Sequence, residues 1–138
     1  MEIEEKELIF KRASDIEALS SFNCGVREID FLIHKKENGL QDYIQDKEYD
    51  SFYVYYNDLL VAVFVFSDDT FKTEDGDYDA TEIDFIAVKE GYRRNHIGTK
   101  IIDKISEISQ QNNRPFLMVG AFFNKKYSAQ QFYERCGF

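Results

Sequence analysis

Between Ser51 and Phe66 the chain carries two runs rich in aromatic and β-branched residues, Ser51 to Tyr56 and Leu60 to Phe66, with Asn57-Asp58 between them. Two residues of that kind between two such runs predict an antiparallel hairpin. At 138 residues, 43% hydrophobic and 16% aromatic, the chain has enough apolar material for one packed core and too little length for two. Thirteen Phe and nine Tyr would have to stay wet if it were disordered. A single domain over residues 1–138 is expected.

Other elements follow from local pattern. Leu8 to Lys11 reads as a first strand, and Ser14 with Glu17 three residues on has capping-box spacing. Phe22-Asn23-Cys24-Gly25 breaks the chain. Val26, Ile29, Phe31, Leu32 and Ile33 then predict a helix with a buried face, and residues 34–50 a second, more polar one. Residues 67–80 read as a loop or as the end of a longer hairpin. Glu82 to Val88 is the next strand. Ile97, Ile101, Ile105 and Ile108 recur at helical spacing, and Asn112, Asn113 and Pro115 end that helix. Phe116 to Ala121 predicts a strand, and Ser128 to Arg135 a short helix before Gly137. A hairpin-rich first half followed by alternation implies an α/β fold with a sheet of mixed direction.

Charge narrows the function classes. The formal net charge is −9, against the basic face that a general nucleic-acid binder uses to displace counterions. No apolar run approaches the roughly 18 residues of a membrane span, so no membrane partner is expected. The acidic start, Met1 to Lys6, lacks a signal-peptide core. Cys24 and Cys136 make neither a disulfide framework nor a metal cluster, which reads as two thiols in a cytoplasmic protein. No His/Cys/Asp cluster has zinc spacing, and Asp75-Gly76-Asp77 lacks the rest of a calcium loop, so no metal site is expected.

The chemistry concentrates in Glu82-Ile83-Asp84-Phe85-Ile86-Ala87-Val88 and the loop after it, where Arg93-Arg94-Asn95-His96-Ile97-Gly98-Thr99 opens a helix. A helix N-terminus presents unpaired N–H groups at a positive dipole end. With Arg93 and Arg94 it makes an anion site suited to a pyrophosphate, and Gly98 lets the backbone approach closely. Strict alternation places Glu82, Asp84, Ile86 and Val88 on one strand face, with Ile83, Phe85 and Ala87 on the other. Charge is polarised across this region: residues 66–84 hold eight acids and one Lys, whereas residues 89–104 are net +3. The basic stretch suits an anionic ligand; the acidic one would concentrate cationic amines.

Arg93 to Gly98 resembles the acetyl-CoA signature of GNAT-type N-acetyltransferases, Gln/Arg-x-x-Gly-x-Gly/Ala, with His96 at the position usually held by Gly. Ala129-Gln-Gln-Phe-Tyr-Glu-Arg-Cys-Gly-Phe138 resembles the closing motif of that family. Phe22-Asn-Cys-Gly-Val-Arg-Glu-Ile-Asp-Phe-Leu32 is similar to the opening of a subgroup that includes toxins acetylating aminoacyl-tRNA. The resemblance spans about residues 8 to 138. It implies a mixed, mostly antiparallel twisted sheet with flanking helices, and a last strand after Gly137-Phe138 that this sequence lacks. An edge left open in that way could pair with a second copy as a homodimer. The family's Asn seven residues before Tyr133 is replaced by Lys126, with Asn124 two residues off.

The resemblance further implies direct attack of a primary amine on acetyl-CoA as co-substrate, without a covalent enzyme intermediate. Glu82 is then the general base, Asp84 a helper that anchors the substrate, and Tyr133 the acid that protonates the departing thiolate. Backbone N–H groups of Ile86, Ala87 and Val88 hold the thioester carbonyl, a role worth about 3 kcal/mol per well-placed donor. Arg93, Arg94, Asn95, His96, Ile97, Gly98 and Thr99 bind the diphosphate. His34, among charged residues, is expected on the surface, and neither cysteine is expected to act as a nucleophile. The acceptor is a small molecule or a protein amine. The alternatives are an aminoacyl-tRNA-acetylating toxin with an antitoxin partner, the one reading that brings in nucleic acid, and a non-catalytic CoA-binding domain.

Overall fold

The computed structural model describes residues 3–4, 7–119 and 130–138, with the side chains of Arg94 and residues 130–132 left out. Its strands are β1 (Leu8–Arg12), β2 (Tyr49–Tyr56), β3 (Leu59–Thr73), β4 (Gly76–Val88) and β5 (Phe116–Val119). The helices are α1 (Arg27–His34), α2 (Leu40–Gln45), α3 (Ile97–Gln111) and α4 (Gln130–Arg135). The strands lie in the order β1-β2-β3-β4-β5. The first three pairings are antiparallel, and β4–β5, joined by the α3 crossover, is parallel. This is the mixed, mostly antiparallel sheet that the sequence predicts.

Local chemistry accounts for the turns. Asn57 and Asp58 both take left-handed φ, 48° and 65°, as a two-residue turn matching the twist of its strands requires. The segment after Phe66 is the far half of a long hairpin, paired up to Thr73–Gly76. Asp15, rather than Ser14, caps the short helical turn Ile16–Leu19: its carboxylate accepts from Glu17 N at 2.8 Å. The Asp side chain sits two residues before that amide, the reach an N-cap needs.

The sheet is covered on both faces. On one, α3 lays Ile97, Ile101, Ile102 and Ile105 over Val54, Phe64, Phe66 and Ile83. On the other, Leu19, Phe22, Ile33 and Leu40 cover Tyr53, Val63, Val65 and Ala87. Thr81 and Ser109 tie α3 to β4 through a buried hydroxyl pair at 2.6 Å; Ser109 Oγ donates to Arg114 O at 2.7 Å, so Thr81 Oγ1 donates to Ser109. Arg114 donates to Asp69 O and Ala80 O and pairs with Asp68 at 3.1 Å, fastening the long hairpin to the start of β5. Among the described residues, no helix is long and apolar enough to cross a membrane.

Candidate active site

One irregularity in β4 positions the carboxylates. Val65 faces Phe85 and Phe66 faces Ile83, so Asp84 is an extra residue with no partner in β3. A bulge of this kind puts two successive side chains on one face. Phe85 and Ala87 therefore pack with the α1/α2 cluster, while Ile83, Ile86 and Val88 pack under α3. This corrects the alternation read from sequence: Glu82 and Asp84 do share a face, but with Phe85 and Ala87, and Ile86 and Val88 lie on the other.

On that face Ser67 pairs with Glu82 across the strands and donates its hydroxyl to Asp84 Oδ2 at 2.7 Å. Desolvation raises the pKa of Glu82 above the usual carboxylate value, helped by the charge of Asp84 and by a hydrogen bond and charge from Asp69. Desolvation also raises Asp84, opposed by the Ser67 hydroxyl and reinforced by Asp69. The strain between these acids has a measurable sign. The folded-state pKa of Asp84 lies above its unfolded value, so its contribution to stability is complete below about pH 4 and is lost as pH rises through the folded value. Asp84→Asn, which can still accept from Ser67, is therefore expected to raise the melting temperature at pH 7 and leave it unchanged at pH 3, read by thermal denaturation at both.

The end of β4 offers amides at an open edge. β5 pairs with β4 only from Ala80 to Ile83, so residues 84–88 have no strand on that side among the described residues. Lys89 N donates to Val61 O at 2.7 Å, into β3. Antiparallel alternation turns the Ala87 amide the same way and leaves those of Ile86 and Val88 on the open edge. Of the three amides expected to hold a carbonyl, Ala87 is thus committed to the sheet.

The loop beyond forms the basic end. His96 takes φ 60° and ψ 20° and stands at the start of α3, whose first internal bond is Lys100 N to His96 O at 3.1 Å. The amides of Ile97, Gly98 and Thr99 precede that bond and have no partner within the helix. Asn95 closes the short turn Arg93–Asn95 before it. Lys100 adds a buried Nζ with no hydrogen-bond partner among the described residues. Amides without a partner in the helix and Arg93 come together at the start of α3, an arrangement of the kind that takes an anion. His96 occupies a left-handed backbone that glycine adopts at no steric cost. His96→Gly is expected to stabilise the fold by up to about 1 kcal/mol and to tighten acetyl-CoA binding, measured by thermal denaturation and calorimetric titration.

The turn at Phe22–Gly25 packs against this loop, a contact that spacing along the chain does not reveal. Gly25, at φ +86°, lies so close that a Cβ there would meet Glu90 Cδ at 2.9 Å and Arg93 Nη2 at 3.0 Å. Glu90 N donates to Asn23 O at 3.2 Å. Two α1 side chains one turn apart hold the turn in place. Asp30 accepts from Cys24 N at 2.7 Å and from Gly25 N at 3.1 Å. His34 Nε2 lies 2.8 Å from Phe22 O, so it donates there, and 2.9 Å from Asn23 Oδ1. His34 is on the surface as expected, but it has this task. The i, i+4 spacing of Asp30 and His34 was the available signal. Ser67 and Asp69 had none, because only strand register brings them to Glu82.

Burial pushes the Cys24 thiol up to about 11 and raises Cys136 as well, so neither is poised as a thiolate. Tyr133 packs from α4 against the same cluster as Ile86, Val88 and Ile97. Its ring meets that of Phe138 edge-on at 5.8 Å. The side chain of Arg94, the positions of Asn124 and Lys126, and the predicted start of the last helix at Ser128 lie outside the described residues. Among the described residues, no group of His, Cys, Asp and Glu could hold a metal ion.

The comparisons with known proteins agree with this architecture. A search of curated proteins finds no match. A tyrosine-to-phenylalanine mutant of the AtaT toxin, bound to the C-terminus of the antitoxin AtaR and acetyl-CoA, superposes with a TM-score of 0.72 at 15% identity, covering 96% of this chain and 84% of that one. The corresponding type of mutant of KacT gives 0.73 at 15% identity, with 96% and 86% covered. A ribosomal-protein-alanine N-acetyltransferase from Brucella melitensis biovar Abortus 2308 gives 0.66 at 17%, with 93% and 87% covered. These likenesses establish the fold. The model of the acetyltransferase (GNAT) family matches residues 16–138, nearly the whole sequence. The chain belongs to the GNAT acetyltransferase family.

Proposed function

We propose that this protein transfers the acetyl group of acetyl-CoA to a primary amine by direct attack. The observation that carries this reading is the placement of two strained carboxyl groups, Glu82 and Asp84, on the strand whose open edge leads into the anion-binding loop. Arg93, Arg94, Asn95 and the amides from His96 to Thr99 hold the diphosphate and so fix the thioester beside β4. Glu82 takes a proton from the acceptor ammonium, directly or through water, and Asp84 anchors that cation. The amides of Ile86 and Val88 hold the carbonyl oxygen as it gains charge. The amine nitrogen bonds to the carbonyl carbon, the C–S bond breaks, and Tyr133 gives its proton to the thiolate sulfur. The products are an N-acetyl amine and free CoA. Glu82 and Tyr133 lie on opposite faces of the sheet, so separate groups deprotonate the amine and protonate the departing thiolate. Calorimetric titration with acetyl-CoA, followed by a thiol-release screen over amines, tests the assignment: no binding and no release with any amine would remove it.

A second reading is favoured by the Phe22–Gly25 turn, which resembles the tRNA-acetylating toxin subgroup and packs on the cofactor loop. The AtaT and KacT likenesses, one of them in complex with an antitoxin, support it at the level of fold. Under that reading the acceptor is an aminoacyl-tRNA and the partner an antitoxin. Growth arrest on expression, with acetylated aminoacyl-tRNA in the arrested cells, decides for it.

A further inference from the structure

The β3–β4 hairpin carries aromatic side chains beyond the covered part of the sheet. Phe71 and Tyr78 are cross-strand partners, and Phe116 of β5 stands beside Ala80. The Phe116 ring touches both others, with centroids 5.8 Å and 5.2 Å apart. All three stay about 40% exposed: 40%, 41% and 39%. Contiguous apolar side chains left at a surface are one mark of an interaction site.

Their face is set by register. Thr81 turns toward α3, where it bonds Ser109. Tyr78, Ala80 and Glu82 therefore point the other way, as do their β3 partners Phe71, Asp69 and Ser67. The aromatic shelf and the carboxyl groups thus form one surface. Its rows repeat every two residues, about 7 Å: Glu82 lies in the first, Phe116 and Asp69 in the second, Phe71 and Tyr78 in the third. Asp69 stands on this surface with Glu82 and Asp84, whereas Asp68, Asp77 and Asp79 alternate to the α3 side.

We propose that this surface docks an extended basic polypeptide that carries the acceptor amine, with its apolar anchor two to four residues from the acetylated position. The inference rests on the acetyl-transfer reading. Charge complementarity selects the occupant. An RNA would bring bases to the rings but phosphates to the carboxyl groups of Asp69, Glu82 and Asp84. A short polyamine would satisfy the acids and leave the rings wet. A basic peptide supplies both, and an extended chain repeats its side chains on one face at the same interval of about 7 Å.

The test uses blocked peptides with one Lys, Arg as the other basic residues, and Phe four residues to each side of the Lys. Two controls replace both Phe by Ser, or every Arg by Glu. Fluorescence anisotropy reads docking, and thiol release with mass spectrometry reads transfer. The parent peptide is expected to bind and react at least tenfold better than either control. Phe71→Ser/Tyr78→Ser is expected to erase that preference for Phe, with circular dichroism showing an intact fold. Equal behaviour of the three peptides, an undiminished preference in the double variant, or preferred transfer to aminoacyl-tRNA overturns the inference. If spermidine is acetylated while the peptides are ignored, the docking inference fails and acetyl transfer stands. If acetyl-CoA does not bind and no amine releases thiol, the acetyl-transfer reading fails, and anisotropy still decides whether the shelf docks the peptide.

Discussion

Replacing Glu82 with Gln is expected to lower kcat by about 10²- to 10⁴-fold, the range that a positioned general base contributes. Gln keeps the size of the side chain and a polar contact for Asp69 but cannot take a proton. Acetyl-CoA affinity should change little, because the loop proposed to hold the diphosphate lies beyond the far end of β4. The pH profile separates this role from a structural one. Glu82 must be ionised to act, and desolvation with Asp84 and Asp69 nearby raises its pKa. In the native enzyme the acid limb of kcat/KM should therefore fall above the usual carboxylate range. In the variant that limb should vanish, leaving a slow rate that climbs with pH only as the amine itself loses its proton. Steady-state thiol release across about pH 5–9, which stays below the pKa of about 10 of an alkyl amine, measures both. A loss below threefold with an unchanged profile would take Glu82 out of the reaction.

Phe64→Ala is expected to destabilise the fold by about 3–5 kcal/mol. Phe64 is fully buried at the centre of the α3-side core. Its ring stacks on Phe52 at 5.2 Å and Phe66 at 6.2 Å and meets Phe10 edge-on at 6.1 Å. None of these neighbours can collapse into the space without leaving its own strand position, so a cavity remains. That loss is a large share of the roughly 5–15 kcal/mol that holds a domain together. It should lower the melting temperature by about 10–20 °C. Phe64 also faces Ile86 across β3–β4. The substitution should therefore loosen the strand that presents the Ile86 amide, and weaken catalysis in the fraction that stays folded. Denaturant titration gives the first effect; kcat/KM well below the melting transition gives the second. Phe64→Leu, which refills part of the space, should recover a good part of both.

Much of the site was legible because its parts are local. The Arg93–Thr99 loop is visible as a basic stretch before an isoleucine-spaced helix, and the observed α3 begins at Ile97. Glu82 and Asp84 share a face as two residues of one strand should. The bulge placed Ile86 and Val88 elsewhere, and no pattern within β4 announces it. It exists because β3 and β4 shift register at Val65/Phe66, a property of two strands and not of one. The acids of residues 66–84 are contiguous along the chain but separate in space. Half of them became the outer strands of a hairpin, with Asp69 turned toward Glu82 and Asp68 turned toward Arg114.

The sequence by itself determined the elements, their order, the Asn57-Asp58 turn and the basic loop that opens α3, because periodicity, turn chemistry and helix ends act over a few residues. Only the tertiary structure decided which face Asp84 joins, that Ala87 gives its amide to the sheet, that the Phe22–Gly25 turn lies on Arg93, and that three aromatic rings continue the carboxylate surface. Those outcomes depend on pairing between distant segments, where one unpaired residue reverses the direction of every side chain after it.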